Sequence, residues 1–262
     1  MLSEAANRAL RETRFSDVRW VDETGSTNAD LLALARDGAA DGTVLVADHQ
    51  SAGRGRADRV WTAPPASSLL LSVLLRPEPA VAPFVAMAMG IAAVDAVITT
   101  TAVVPRLKWP NDLVWPGVGN DSDRKLGGIL AEADWSDPEA PAVVVGLGLN
   151  VNWPRVFPED LLATATSVNH VAGHDIDREQ LLVAILCELD VRSRDPHLVE
   201  EVRQRSATLG TRVRVELPTS SLEGTAVELT QQGHLVVVAD DDTRHTITAG
   251  DVVHLRPGST SS

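Results

Sequence analysis

The stretch KLGGILAEADWSDPEAPAVVVGLGL, Lys125–Leu149, decides the fold because it holds two apolar runs on either side of a polar segment. Apolar runs of this length, bounded by turn-forming residues, predict buried β-strands. We therefore expect one strand over Lys125–Ala133 and a second over Ala142–Leu149, paired antiparallel in one sheet.

Glycines interrupt both predicted strands. Gly127 and Gly128 follow Lys125 in the first, and Gly146 and Gly148 lie in the second. Glycine weakens a strand unless something must approach its backbone closely. The pattern predicts a ligand lying against these strands with Lys125 beside it, while a bulged edge strand is the alternative. A dinucleotide fingerprint is excluded, since the spacing differs and no helix start follows.

Other elements extend outward from this pair. Further strands are predicted over Thr43–Ala47, Ser67–Leu75 and Val104–Trp109, and helices over Leu2–Thr13, Asn28–Asp37, Pro83–Ile98, Arg178–Ser193 and Pro196–Thr208. Loops are predicted over Asp22–Thr27, Gln50–Val60 and Pro116–Arg124. This order of strands and helices indicates an α+β domain, a mixed β-sheet flanked by helices.

The pattern changes at Gly210, where short alternating strands with polar turns begin. The five predicted strands are Arg212–Leu217, Gly224–Leu229, His234–Ala239, Thr243–Thr248 and Asp251–Leu255. Five short strands in so few residues indicate a small β-barrel. We therefore divide the chain into a first α+β domain (1–209), a C-terminal barrel (210–256) and a disordered tail (257–262).

Composition excludes several functional classes. The formal net charge of the 262 residues is −13, which argues against nucleic acid as the main partner. The single Cys187 cannot form an internal disulfide and fits a cytoplasmic protein. Ala80–Ile98 is nearly all apolar, but it is rich in alanine and contains Asp95, so we expect a buried helix and no membrane span.

The loop Gly53–Arg59, GRGRADR, is the strongest local signal for a ligand site. Its two glycines let the backbone approach a ligand, and its three arginines offer planar forks that suit phosphates and carboxylates. Trp61 follows, and it would shield a planar ring or pack the loop. The alternative is a flexible surface loop in which the arginines are incidental.

Two shorter motifs carry polar groups. Lys108–Asp112, KWPND, places a cation, an amide and a carboxylate around a proline. Its aspartate could hold Mg²⁺ beside a polyphosphate, although a solvated turn explains the motif equally well. Gly25–Asn28, GSTN, is typical of a helix N-terminus, and capping alone would account for it.

Taken together, these segments resemble the biotin–protein ligase family. The matching segments are Gly25–Asn28, His49–Arg56 with Trp61, Lys108–Asp112, Lys125–Leu130 and Gly146–Asn150, in the family's order and with similar gaps. The overall pattern looks actinobacterial. The resemblance implies a catalytic domain like that of class II aminoacyl-tRNA synthetases and biotin ligases, followed by an SH3-like barrel. Only about two dozen residues precede Gly25, so we expect the short form without an N-terminal DNA-binding domain.

The resemblance also assigns site residues. The implied biotin-binding residues are Ser26, Thr27, Asn28, Gln50, Gly53, Arg54, Gly55, Arg56, Lys125, Gly127 and Gly128. The implied ATP- or adenylate-binding residues are Arg54, Arg56, Arg59, Trp61, Lys108, Asn111, Asp112, Lys125 and Asn150. Lys125, Arg54 and Asp112 would be catalytic, and Asp112 would hold Mg²⁺. No base for the acceptor amine is identified, and Asp112 is one candidate.

The implied reaction joins biotin and ATP into biotinoyl-adenylate and passes biotin to a lysine of a carrier domain in acetyl-CoA, acyl-CoA or pyruvate carboxylase. We expect a monomer or weak homodimer that binds neither DNA nor membrane. A lipoate or octanoate ligase of the same architecture, and a non-catalytic binding module, stay open as alternatives. One departure is Ala57-Asp58, where the family often has a glycine and a basic residue. Asp58 would point outward or weaken ligand binding.

Overall fold

The structure, a computed structural model, describes residues 2–118, 122–137, 139, 141–217 and 220–255. The predicted tail lies outside these residues, as does part of the predicted loop Pro116–Arg124. The strands of the first sheet are β1 (Val18–Thr24), β2 (Val44–Gln50), β3 (Ser68–Leu75), β4 (Arg106–Lys108), β5 (Asp112–Trp115), β6 (Arg124–Asp134) and β7 (Ala142–Asn150). The helices are α1 (Glu4–Leu10), α2 (Thr27–Arg36), α3 (Val85–Thr101), α4 (Val168–Ala172), α5 (Arg178–Arg192) and α6 (Leu198–Gln204).

The first sheet is mixed, with strand order β1-β2-β3-β7-β6-β5-β4. β1 and β2 pair parallel, and the other neighbours pair antiparallel. The predicted antiparallel pairing of β6 with β7 is confirmed, and its register sets Gly128 opposite Gly148. The α+β class, with a mixed sheet flanked by helices, is confirmed as well.

Helices cover the two faces of this sheet unequally. α3 and α5 pack on one face, where they share a buried core with alternate residues of β2, β3, β6 and β7. α2 packs on the other face, where Leu31 and Ala35 form a smaller apolar cluster with Leu74, Ala142 and Val144. Because both faces of β3 are buried, its apolar run is continuous and does not alternate. The part of the second face that α2 leaves uncovered holds the candidate site.

Three elements differ from the sequence predictions. β1 extends to Thr24, so the predicted loop Asp22–Thr27 is partly strand. Its side chains are half-buried or exposed without a regular alternation because it lies at the sheet edge, and its charged residues hid the strand pattern. The four residues of β5 follow Pro110 too closely to show a period, and the five-residue α4 is equally short.

A second sheet follows α6. Its strands are β8 (Arg212–Glu216), β9 (Ser221–Leu229), β10 (Leu235–Ala239), β11 (Arg244–Ile247) and β12 (Asp251–His254), in the order β11-β10-β9-β8-β12 and all antiparallel. All five strands contribute to one buried cluster, as in a curled, barrel-like sheet. The sheet begins two residues after Gly210, which stays our predicted boundary.

The predicted apolar segment Ala80–Ile98 contains a short 3₁₀ turn followed by most of α3. Within the described residues, Ala82–Thr101 is the one helical stretch long and apolar enough to cross a membrane. An 18-residue window of this stretch is 61% buried, and the helix packs against β6, β7 and α5, as a core helix does. The prediction of a buried helix is confirmed.

Candidate active site

A cleft lies on the uncovered part of the sheet and is closed over by the arginine loop. Its floor is formed by β6 and β7, its end by the start of α2 and the end of β2, and its cover by the loop 54–61. The lining residues are Ser26, Thr27, Asn28, Gln50, Arg54, Gly55, Arg56, Arg59, Val60, Trp61, Leu71, Asn111, Lys125, Gly128, Ile129, Leu130, Gly146, Leu147 and Gly148. Segments distant in sequence therefore converge on one cavity.

Glycines on the floor of the cleft make room for an indole ring. A Cβ atom on Gly148 would lie 2.6 Å from Cε2 of Trp61, and one on Gly128 would lie 3.4 Å from its Cζ3. The Lys125 Nζ atom stands 5.6 Å from the centre of the same ring, a cation–π contact. The Trp61 Nε1 atom is buried and has no hydrogen-bond partner among the described residues. The glycines thus seat Trp61 against the sheet.

The end of the cleft near α2 carries a polar network. The Gln50 Oε1 atom accepts hydrogen bonds from the Thr27 backbone N–H at 2.8 Å and from the Thr27 hydroxyl at 3.0 Å. The buried Ser72 hydroxyl lies 2.7 Å from Thr27 Oγ1 and 2.5 Å from Asn28 Oδ1. Ser26 caps α2 through its side chain, as the sequence suggested. These donors and acceptors suit a small polar ring, because their positions are fixed by one another.

Arg54 and Asn28 meet at one carboxylate. The Arg54 guanidinium forms an ion pair with Glu132 at 2.9 Å. The Asn28 side-chain amide donates to the other Glu132 oxygen at 2.9 Å and to the Leu130 carbonyl at 3.1 Å. Gly146 gives Asn28 the space to approach, because a Cβ atom there would clash with its Oδ1. Glu132 therefore fixes both the loop and the start of α2.

Two more cations face the cleft, and each already has a partner. Arg56 donates a hydrogen bond to the Asn111 side-chain oxygen at 3.1 Å. The Lys125 ammonium forms an ion pair with Asp112 at 2.7 Å. An entering anion would exchange these partners for its own oxygens, which charge-assisted hydrogen bonds favour.

Arg59 lines the cleft with the other cations, Arg54, Arg56 and Lys125, but its ion-pair partner does not. Its guanidinium pairs with Asp251 of β12 at 2.8 Å. The adjacent residues Ala57 and Asp58 both have left-handed backbone conformations, with φ values of 52° and 56°. Asp58 is exposed and does not line the cleft, which agrees with an outward orientation.

A second, polar cavity adjoins the cleft between the two sheets. Lys108, Asp112, Asp123, Lys125 and His254 are among its lining residues. Burial lowers the pKa of the Lys108 ammonium, against the opposing effects of the nearby aspartates, with a smaller lowering from the Lys125 charge. Lys108 of the KWPND motif and Lys125 of β6 both line this cavity, and Lys125 also lines the cleft. The cavity therefore continues the same site.

The structure places some predicted residues outside the main cleft. Lys108 and Asp112 line the adjoining cavity instead, while Gly53, Gly127 and Asn150 line neither. Gly127 has a packing reason, because a Cβ atom would lie 2.8 Å from the Gly148 carbonyl oxygen. The Asn150 side-chain amide donates to the buried Thr166 carbonyl at 3.0 Å.

Three residues that hold the site together lie outside the predicted set, namely Ser72, Glu132 and Asp251. Ser72 left a signal, since it is the one hydroxyl within the otherwise apolar run Leu69–Leu75. Glu132 and Asp251 left none, because each contacts a residue far away in the sequence.

The carboxylates of the site suit a metal ion that substrate phosphates and water would also hold. Within the part of the chain that the structure describes, no group of three or more His, Cys, Asp or Glu residues is arranged to hold a metal ion. Mg²⁺ commonly takes one or two carboxylates and completes its shell with substrate phosphates and water. Asp112, which already faces Lys125, fits such a role in the presence of a polyphosphate.

Comparison with known proteins identifies the family. The description "Biotin/lipoate A/B protein ligase family" matches residues 21–150, and "Biotin protein ligase C terminal domain" matches residues 208–255. A biotin--[acetyl-CoA-carboxylase] ligase of Mycobacterium tuberculosis is 42% identical over 90% of this chain and 88% of its own length. The bifunctional ligase/repressor BirA of Bacillus subtilis is 30% identical over 87% of this chain and 71% of its own length.

A solved structure shares the fold. The biotin protein ligase from Aquifex aeolicus, in complex with biotin and ATP, matches with a TM-score of 0.76 and 26% identity, over 93% of this chain and all of that one. The chain thus contains both domains of the family, and its relatives align with nearly its whole length. The chain belongs to the biotin protein ligase family.

Proposed function

We propose that this protein is a biotin–protein ligase, which activates biotin with ATP and transfers it to a lysine of a carrier domain. The convergence of Gln50, Arg54, Arg56 and Lys125 on one cleft carries the proposal. A chain with a net charge of −13 concentrates cations here, as a reaction between a carboxylate and a polyphosphate requires. The relatives named above support biotin as the carboxylate.

Biotin would bind at the polar end of the cleft. Its ureido group would meet Ser26, Thr27 and Gln50. Thr27 is hydrogen-bonded to both Gln50 and Ser72, and the Ser26 hydroxyl is fixed by capping α2. Its carboxylate would then point along the glycine floor toward Lys125. In this orientation the reacting carboxylate would lie beside the cations, where the phosphates of ATP would also lie.

In the first step, a biotin carboxylate oxygen attacks the α-phosphorus of ATP, the bond to the bridging oxygen breaks, and pyrophosphate leaves. Two anions must approach each other, and Arg54, Arg56 and Lys125 would offset their repulsion and stabilise the developing charge. Mg²⁺, bound with ATP, would neutralise further phosphate charge. We propose Asp112 as its protein ligand and Asn111 as a neighbouring phosphate contact.

In the second step, the neutral amine of the acceptor lysine attacks the carbonyl carbon of biotinoyl-adenylate. A C–N bond forms, AMP leaves, and the amine loses a proton to water or to a nearby base such as Asp112. The mixed anhydride must survive until the acceptor arrives. The loop 54–61, with Trp61 against the sheet, would shield it from water.

The acceptor is a biotin carrier domain, and we propose that it belongs to an acetyl-CoA, acyl-CoA or pyruvate carboxylase. The name of the mycobacterial relative supports the first of these. We further propose a cytoplasmic monomer or weak homodimer without a role in DNA binding.

A biotin-dependent release of pyrophosphate from ATP, followed by mass spectrometry of a carrier domain, tests this function. We expect biotin to be incorporated and lipoate or octanoate to be rejected. Incorporation of lipoate instead would establish the rival ligase, and biotin binding without pyrophosphate release would establish a non-catalytic module.

A further inference from the structure

We infer that Asp251, at the start of β12, is a positioning residue that holds the loop 54–61 in place from the C-terminal sheet. The inference rests on the proposed function, because it assigns the small sheet a part in holding ligands. Neither the sequence motifs nor the family resemblance pointed to Asp251.

Besides the packing of Trp61 on the sheet, three polar side-chain contacts hold the loop 54–61 to the body of the protein. Arg54 is paired with Glu132 of β6, and Arg56 is bonded to Asn111 in the turn before β5. The third contact is the Arg59–Asp251 ion pair at 2.8 Å. The first two contacts use arginines that a bound anion would engage, so ligand binding would break them. The third contact is to Asp251, which does not line the cleft, so it can persist when a ligand is bound.

Arg59 organises the turn of the loop from within. Its backbone carbonyl accepts a hydrogen bond from the Gly55 N–H at 2.7 Å, and its Nε donates to the Arg56 carbonyl at 3.2 Å. The Arg59 side chain is thus bonded to both its own loop and the second sheet. Fixing it also fixes Ala57 and Asp58, whose left-handed conformations require support from their surroundings.

β12 is well placed to act as a rigid anchor. It pairs with β8 along its length, and Val252 contributes to the buried cluster of the second sheet. At its other end, His254 contacts Asp123 at 2.9 Å, close to the start of β6. One strand therefore contacts both the cover and the wall of the site.

The expected size of the effect follows from exposure. The side chains of Arg59 and Asp251 are 58% and 44% exposed, so their pairing contributes modestly and is sensitive to salt. Exposed ion pairs of this kind shift an opening equilibrium by about 1.4- to 5-fold. This is enough to change how long the loop stays closed, but not to unfold the protein.

Limited trypsin digestion of the full chain without ligands tests the inference directly. Cleavage after Arg56 requires the loop to open, so its rate reports the open population. We expect Asp251→Asn to speed this cleavage about 1.4- to 5-fold at low salt, and Asp251→Glu to restore the slow rate. The KM for biotin should rise by at most the same factor, because it follows the closed fraction of the loop, and kcat should be unchanged.

A matched control and a double-mutant cycle separate positioning from a general effect. Asp240→Asn removes the exposed Arg212–Asp240 pair of the same sheet and should leave the loop unaffected. In an Arg59→Gln background, Asp251→Asn should add no further acceleration, because its partner is gone. Unchanged cleavage in Asp251→Asn, or equal acceleration with and without Arg59, would overturn the inference. If the wild type released no pyrophosphate while the digestion pattern held, the proposed function alone would fail.

Discussion

The contrast between two neighbouring glycines tests the geometry of the cleft floor. Gly148 faces the Trp61 ring, whereas Gly127 faces the Gly148 carbonyl oxygen of the next strand. Gly148→Ala would place a Cβ atom 2.6 Å from Trp61 Cε2, and Gly127→Ala would place one 2.8 Å from that oxygen. Ordinary carbon contacts lie at about 3.5–4.0 Å, so each substitution needs its neighbour to move by roughly 1 Å.

The two neighbours differ in their freedom to move. Trp61 is half-buried and sits at the end of a loop, so Gly148→Ala would displace the ring and the loop with it. We expect the free energy of unfolding to change by less than about 1 kcal/mol, since alanine also restricts the unfolded chain. Biotin affinity should fall at least about tenfold, or about 1.4 kcal/mol, because the loop no longer closes flat on the sheet.

The Gly148 carbonyl belongs to a central strand and cannot move without distorting the sheet. Gly127→Ala should therefore lower the free energy of unfolding by about 1–3 kcal/mol, the usual cost of overpacking. Urea denaturation and calorimetry with biotin measure the two effects separately. The reasoning is refuted if Gly148→Ala binds biotin normally, or if Gly127→Ala is no less stable than Gly148→Ala.

Three further predictions concern single side chains. The left-handed conformation of Asp58 costs about 1–2 kcal/mol, which Asp58→Gly relieves, although glycine is also freer in the unfolded chain. Activity should therefore be kept or raised, and a large loss of biotin affinity would contradict the outward orientation of Asp58. Burial lowers the pKa of Lys108, so its charge is present below that pKa and lost as pH rises through it. The KM for ATP should therefore begin to rise at a lower alkaline pH than it would if a surface lysine bound ATP. Lys108→Arg should remove that rise, and identical pH profiles of the wild type and this variant would exclude Lys108 from ATP binding. Ser72→Ala should cost about 1–3 kcal/mol in urea unfolding and weaken biotin binding, because Thr27 and Asn28 lose a buried partner; wild-type stability would show that water replaces the hydroxyl.

Local patterns predicted the elements with strong hydrophobic runs. The lengths and pairing of β6 and β7 followed from their apolar residues, and the end of α2 followed from Gly38. β1 was missed because an exposed edge strand tolerates charged residues, and its neighbour β2 pairs with it only through the tertiary fold. Short elements such as β5 and α4 carry too few residues to show a period.

The motifs predicted which segments would meet, but not how they are held. The arginine loop, Gln50 and Lys125 do share a cavity. The contacts of Arg54 with Glu132 and of Arg59 with Asp251 join residues far apart in sequence, so no local pattern announces them. Gly127 illustrates the opposite problem, since packing against a neighbouring strand and contact with a ligand both favour glycine.

The central claim is that the cations of one cleft allow two anions to react. The most direct measurement is biotin-dependent pyrophosphate release by the wild type and by Lys125→Ala, with biotin affinity measured by calorimetry on both. We predict that the variant loses adenylate formation while biotin binding weakens less, because in the proposed orientation Lys125 would meet the carboxylate of biotin and the polar network would hold its ring. Undiminished turnover by Lys125→Ala would contradict the account.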